Sequence, residues 1–198
     1  MASHQIVSFL LFAIVAAITP GPSNVMLTAT GANVGVRRGL PCLLGVTIGM
    51  GLMMFLVSFG LGSLVLHNPL MLKILNWGGA VFLLWMAWKI ATATPTAVVP
   101  GSKPIGFFGA AAFQWVNPKS WIVCTSAAGT FLHTAAGSVI LQSSFIGGLF
   151  FTVAMPSCFL WLVLGATAQR FLLGGRRLKI FNIAMGALLV LSIALILL

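Results

Sequence analysis

Six long apolar stretches run through this 198-residue sequence and restrict what it can fold into. A helix that crosses the hydrocarbon core of a bilayer needs roughly 20 mainly apolar residues. Only 5% of the residues are charged, whereas soluble domains are about one quarter charged. We therefore predict an all-α membrane protein, a single domain over 1–198 with six transmembrane helices. The stretches cover about 5–32, 39–66, 69–91, 105–131, 137–168 and 178–198.

Two of these stretches contain residues that break helices. The first stretch holds Pro20-Gly21-Pro22, and the fourth holds Asn117-Pro118. Each proline lacks a backbone amide, and the glycine loosens the backbone around it. Inside a bilayer, such a break is tolerated only where the freed backbone groups are buried in protein or line a polar cavity. Paired breaks in corresponding halves of a chain indicate the substrate site of a transporter.

The linker 92–104, rich in Thr, Ala and Pro, divides the chain into halves of about 1–91 and 105–198. Each half contains three predicted helices, so the second half enters the membrane in the opposite sense to the first. This predicts a 3+3 inverted repeat in which helices 1 and 4 are broken at their prolines. The matching positions are Pro22 with Pro118 at an offset of 96, and 73–76 with 179–182 at an offset of 106.

The chain carries ten Lys and Arg residues and no Asp or Glu, which gives a net charge of +10. In a soluble protein this charge would suggest nucleic acid, but here the basic residues lie mostly in short loops between spans. Such loops face the cytoplasm and attract anionic lipid headgroups. We therefore expect membrane lipids as partners, no nucleic acid, and both termini on the outer face. The basic residues of these loops include Arg37, Arg38, Lys103, Arg170, Arg176, Arg177 and Lys179.

Three cysteines, Cys42, Cys124 and Cys158, all fall in apolar segments without a CxxC pair or a metal-binding spacing. We interpret them as small buried apolar residues. No nucleotide-binding motif is present, so we expect a transporter that is not an enzyme and uses no metal or cofactor. A membrane thiol-disulfide electron carrier is the alternative function, although the helix breaks hold Ser23 and Lys119 where such a carrier needs cysteines.

Motifs in both halves resemble the LysE/RhtB family of amino-acid exporters. In the first half they are Thr-Pro-Gly-Pro-Ser-Asn at 19–24, Gly-Val-Arg-Arg-Gly-Leu-Pro at 35–41 and the Trp-rich run 77–90. In the second half, Asn-Pro-Lys ends the run 113–119. The resemblance implies a secondary transporter in the bacterial inner membrane, driven by the proton gradient or by the substrate gradient. The Ala-Trp-Lys-Ile sequence that ends the Trp-rich run is most similar to the cysteine/O-acetylserine exporter branch.

An exported amino acid presents an ammonium and a carboxylate, and broken helices offer a partner for each. Free amides at a helix start suit the carboxylate, and free carbonyls at a helix end suit the ammonium. Lys119 can pair with the carboxylate, carry a coupling proton, cap broken-helix carbonyls, or reach a lipid headgroup. Beyond the amino-acid substrate, a homo-oligomer stays open as a partner. The predicted substrate-binding residues are Pro20, Gly21, Pro22, Ser23, Asn24, Gln114, Asn117, Pro118 and Lys119.

Overall fold

The computed structural model describes residues 3–92, 105–132, 138–171 and 175–197. Every regular element within these ranges is helical, which confirms the predicted all-α class for this part of the chain. The predicted linker 92–104 lies, apart from Thr92, outside the described residues. A π-helical turn, Val57–Leu61, joins the second helix to the third. The helices are α1 (Ser3–Ile18), α2 (Pro22–Leu56), α3 (Gly62–Leu66), α4 (Pro69–Ala91), α5 (Phe107–Val116), α6 (Pro118–Phe131), α7 (Val139–Phe171) and α8 (Gly175–Leu197).

At the two breaks, α2 and α6 each begin at a proline that directly follows an extended residue, as α4 also does after Asn68. Gly21 precedes α2 with φ −175° and ψ 179°, and Asn117 precedes α6 with φ −86° and ψ 109°. A proline at the first helical position is well tolerated, because an amide there would have no acceptor within the helix. The end of α1 therefore lies next to the start of α2, and the end of α5 next to the start of α6.

The chain reverses within α2, at Gly35. This residue has φ 77° and ψ 174°, a left-handed backbone conformation that glycine adopts without strain. Thr30 Oγ1 lies 3.8 Å from Cys42 Sγ, although 12 residues of straight helix would separate them by about 18 Å. Gly35 thus divides α2 into an N-terminal arm and a C-terminal arm, and Arg37 and Arg38 are exposed just after the reversal.

Glycines allow the C-terminal arm of α2 to pack closely on α5 and α7. A Cβ at Gly49 would lie 2.9 Å from the Ala111 Cα atom of α5. A Cβ at Gly51 would lie 3.0 Å from the Phe151 Cβ atom of α7, and Gly45 packs on α5 still more tightly. Glycine at these positions therefore allows the short distance between the helices, as in other close-packed membrane helices.

Two apolar clusters form the interior. One surrounds Leu27, Leu83 and Leu162 and joins the N-terminal arm of α2 to α4 and α7. The other surrounds Phe9 and Met53 and joins α1 to the C-terminal arm of α2, α6 and α7. The largest helix contacts are those of α2 with α7, and α4 packs on α8. The polar residues of both helix breaks lie where the two clusters adjoin.

Two apolar helical stretches in the described part of the chain are long enough to cross a membrane by length and composition, Pro22–Val65 and Val139–Ala168. The first of these is folded at Gly35. The other apolar helices are shorter, and large apolar side chains lie exposed on them. On α4, for example, Trp77 is 68% exposed and Val81 is 65% exposed. Contiguous apolar surface of this kind is typical of a protein that faces lipid.

Candidate functional site

A cavity of about 40 Å³ lies where the two helix breaks meet. A single water needs about 10–15 Å³ of such space, so the cavity accommodates small groups and has to widen for an entire amino acid. Polar residues from both breaks line it together with apolar side chains of α1, α2, α6 and α7. The lining consists of Gly21, Ser23, Asn24, Asn117, Lys119, Ser120 and Cys158, with Ala16, Ala17, Val46, Met50, Val123, Phe150 and Ala154.

The ammonium of Lys119 caps the C-terminal end of α1. Its Nζ atom donates to the Thr19 carbonyl at 2.7 Å and lies 3.5 Å from the Pro20 carbonyl. The last carbonyls of a helix lack donors within that helix and carry its negative dipole charge. The partly buried Lys119 therefore links the start of α6 to the end of α1. Capping of these carbonyls is one of the four roles that the sequence left open.

Two further side chains complete the cap on α1. Asn24, only 4% exposed, donates from Nδ2 to the carbonyls of Ala17 at 2.8 Å and Thr19 at 2.9 Å. Trp161 of α7 donates from Nε1 to the Ile18 carbonyl at 3.3 Å. The broken end of α1 is thus satisfied by side chains from α2, α6 and α7, and the amide of Asn24 is already engaged in this conformation.

Gln114, which is fully buried, joins the two breaks. Its Oε1 atom accepts from the hydroxyls of Ser23 at 2.9 Å and Ser120 at 3.1 Å, and its Nε2 atom donates to the Ala110 carbonyl at 3.1 Å. Asn117 donates from Nδ2 to the Ser23 hydroxyl at 3.1 Å. A continuous hydrogen-bond network therefore holds the start of α2 against the break between α5 and α6.

Some of the predicted site residues line the cavity, and the others support it from outside. Pro20 supplies a carbonyl near Lys119, Pro22 and Pro118 begin helices, and Gln114 lies behind the cavity wall in the hydrogen-bond network. Because proline's contribution is to the backbone path, the two helix-starting prolines shape the cavity without lining it. The predicted residues that line the cavity are Gly21, Ser23, Asn24, Asn117 and Lys119.

Sequence reasoning missed the contribution of α7. Phe150, Ala154 and Cys158 line the cavity at a spacing of four residues, which places them on one helix face. The same spacing is typical of an ordinary core stripe, so it gave no reason to choose these residues. Burial of all three cysteines is confirmed, but Cys158 also contacts the site, because its Sγ atom lies 3.9 Å from Asn24 Oδ1.

Several lining residues of the two breaks are separated by 96 positions, the offset that also separates Pro22 from Pro118. Across the described residues, no group of three or more His, Cys, Asp or Glu side chains is placed to hold a metal ion. The lining pairs at this offset are Gly21 with Asn117, Ser23 with Lys119, and Asn24 with Ser120.

Comparisons with known proteins agree with the motifs. The family of LysE type translocators matches residues 14–198. The cysteine/O-acetylserine efflux protein of Klebsiella pneumoniae subsp. pneumoniae is 31% identical over 191 residues, 96% of this chain and 95% of that protein. The protein of the same name from Escherichia coli strain K12 is 31% identical over 187 residues, 92% of each chain. No solved structure matches significantly. The family predicted from the motifs is confirmed, and the chain belongs to the LysE family of membrane translocators.

Proposed function

We propose that this protein is a secondary transporter that exports small amino acids or their derivatives from the cytoplasm across the bacterial inner membrane. The observation that carries the proposal is the cavity in which both helix breaks meet, with Lys119 as its cation. Family membership supports amino-acid export. The names of the cysteine/O-acetylserine efflux relatives make cysteine and O-acetylserine the first substrates to test.

The broken helix ends offer a partner for each pole of an amino acid. The carbonyls of Thr19 and Pro20 already accept from an ammonium, that of Lys119, so they suit the ammonium of the substrate. The carboxylate suits the first-turn amides of α2, which have no acceptor in their own helix, together with the Ser23 hydroxyl. A small substrate side chain would then face the apolar wall that includes Met50 and Ala154.

The proposed scaffold has six spans in a 3+3 inverted repeat, with half-repeats of about 1–91 and 105–198. Reciprocal contacts between equivalent residues support this arrangement. A Cβ at Gly51 would lie 3.0 Å from Phe151 Cβ, and a Cβ at Gly147 would lie 3.1 Å from Phe55 Cβ. Gly51 and Gly147 are separated by 96 residues, as are Phe55 and Phe151 and the prolines that begin α2 and α6. Contacts that exchange partners in this way are typical of a two-fold axis.

The proposed orientation places the loops after the first, third and fifth spans in the cytoplasm and both termini outside. Arg37 and Arg38 are exposed just after the reversal at Gly35, and Arg176 and Arg177 are exposed at the start of α8. Clustering of basic residues in short loops is the main determinant of membrane orientation. The four arginines therefore support a cytoplasmic location for these two loops.

The transport proposal is tested with the purified protein in lipid vesicles. Separate vesicles are loaded with labelled cysteine, O-acetylserine, homoserine, threonine, leucine or lysine, and efflux is followed over time. We expect saturable efflux of cysteine or O-acetylserine above that from protein-free vesicles. Efflux of every compound at the protein-free rate would refute the proposed function.

Two lysine variants test whether the cavity is the substrate site. Lys119→Met removes the cation and its charged hydrogen bonds, each worth about 1.5–3 kcal/mol, so we expect flux to fall about tenfold or more. Lys73→Met removes an exposed lysine on α4, outside the cavity, and we expect nearly unchanged flux. Equal flux in both variants, at comparable protein levels, would exclude Lys119 from the transport site.

A further inference from the structure

The end of α1 already holds an ammonium group. Lys119 Nζ lies 2.7 Å from the Thr19 carbonyl, the distance of a strong charge-assisted hydrogen bond, and 3.5 Å from the Pro20 carbonyl. Neither carbonyl has a donor within α1, because the helix ends at Ile18. These carbonyls are the ones that suit the substrate's ammonium. In this conformation the protein therefore fills its own ammonium site with a side chain.

We propose that Lys119 is a tethered stand-in for the substrate ammonium. When an amino acid binds, the Lys119 ammonium leaves the Thr19 and Pro20 carbonyls and pairs with the carboxylate of the substrate. This inference rests on the proposed function. The Thr19 carbonyl keeps its bond from Asn24 throughout, and the exchange keeps an ammonium beside both carbonyls before and after binding. Such continuity matters most for the Pro20 carbonyl, to which Lys119 donates, because an unpaired backbone carbonyl is costly at membrane depth.

Charge balance in this exchange selects for zwitterions. When an amino acid binds, its ammonium replaces that of Lys119, and its carboxylate neutralises the displaced lysine. A simple amine brings no carboxylate, so it would leave two cations in one small cavity, in a chain that has no Asp or Glu to neutralise either. Like charges at short distance in a poorly hydrated site repel strongly. Lys119 thereby excludes amines while admitting amino acids of similar size.

Gly21 gives Lys119 the room to reach its position. A Cβ at residue 21 would lie 2.8 Å from Lys119 Cδ and 3.0 Å from Nζ. The backbone of Gly21 is extended, with φ −175°, so any residue could adopt it. Glycine is therefore needed here because the Lys119 side chain occupies the space that a Cβ atom would fill.

The test uses the purified protein in detergent and needs no transport. Lys119→Ala removes the side chain beyond Cβ, which corresponds to propylammonium. Thermal unfolding is followed by tryptophan fluorescence with and without propylammonium, and tetramethylammonium serves as a cation without N–H donors. Lys73→Ala is the matched control, because this lysine is exposed and lies outside the cavity.

We expect Lys119→Ala to unfold at a lower temperature than the native protein, and propylammonium to restore at least half of the difference. Tetramethylammonium should restore none, and the native protein and Lys73→Ala should respond to neither cation. In Gly21→Ala/Lys119→Ala, the added methyl group crowds the position of the ammonium, so the restoration should disappear. If propylammonium stabilises the native protein and Lys119→Ala equally, or stabilises neither, the stand-in role is refuted.

A second variant covers the case in which Lys119→Ala gives no folded protein. Lys119→Gln keeps a neutral donor near the carbonyls and removes the charge. We expect cysteamine, which is cysteine without its carboxylate, to compete with labelled cysteine for Lys119→Gln about tenfold better than for the native protein. Equal competition would overturn the inference. Cysteine efflux by the native protein together with no amine effect would refute the stand-in alone, whereas efflux of every tested compound at the protein-free rate would refute the proposed function.

Discussion

Replacing Gln114 with leucine should separate the two helix breaks. Leucine has a similar size but accepts no hydrogen bond, so the hydroxyls of Ser23 and Ser120 both lose their acceptor. Ser23 still accepts from Asn117, whereas Ser120, which lines the cavity, loses its side-chain acceptor. The bond from Gln114 to the Ala110 carbonyl is also lost.

The expected loss of stability follows from these three hydrogen bonds. Side-chain hydrogen bonds in membrane proteins average about 0.6 kcal/mol each, so together they contribute about 2 kcal/mol. For a chain of this size, that loss lowers the melting temperature by about 4–8 °C.

The three cysteines provide the assay. All are free and buried, so a maleimide that fluoresces on reaction with thiols reports their exposure during heating in detergent. Thr152→Val is the control, because the exposed Thr152 hydroxyl donates to the Gly148 carbonyl of its own helix, at 2.9 Å, and to no other helix among the described residues. A surface change of this kind should alter stability by about 0.5 kcal/mol or less.

A double variant tests whether the network acts as a unit. The combined effect of Gln114→Leu and Ser120→Ala should be smaller than the two separate effects added together, because both remove the same hydrogen bond. If the melting temperature of Gln114→Leu falls no further below that of the native protein than that of Thr152→Val, Gln114 does not hold the breaks together.

Three further predictions concern packing, the cavity wall and orientation. Gly165→Ala pushes a methyl group onto the Thr28 carbonyl and should destabilise the protein by about 1–3 kcal/mol. Gly148→Ala, where the added Cβ has no neighbour within 4 Å, should leave the melting temperature unchanged or higher. Equal melting temperatures for the two variants would contradict this packing. A small thiol reagent should block efflux by modifying Cys158, which lines the cavity. Cys158→Ser should still transport and should resist the reagent. Equal inhibition of Cys158→Ser and the native protein would show that Cys158 does not lie in the transport path. Arg37→Cys should react with an impermeant maleimide only from the cytoplasmic side, and labelling from outside would reverse the orientation.

Much of the helical framework could be predicted from local sequence. Proline cannot donate a backbone hydrogen bond, so helix starts at Pro22 and Pro118 follow from chemistry that acts within a few residues. Close packing at Gly49 and Gly51 follows similarly, because small residues recur along an apolar helix. The reversal at Gly35 lay near the predicted loop, but a lone glycine in an apolar sequence does not indicate its backbone conformation.

The sequence by itself determined that the chain is apolar, helical and broken at two proline motifs, and that no carboxylate side chain can meet a substrate cation. The tertiary structure alone decided the partners of the polar groups. Lys119 bonds to carbonyls about 100 positions earlier, Gln114 joins Ser23 to Ser120, and Cys158 reaches the cavity from α7. The physical reason is that hydrogen bonds between distant segments depend on how helices pack, whereas sequence spacing reports only the face of one helix.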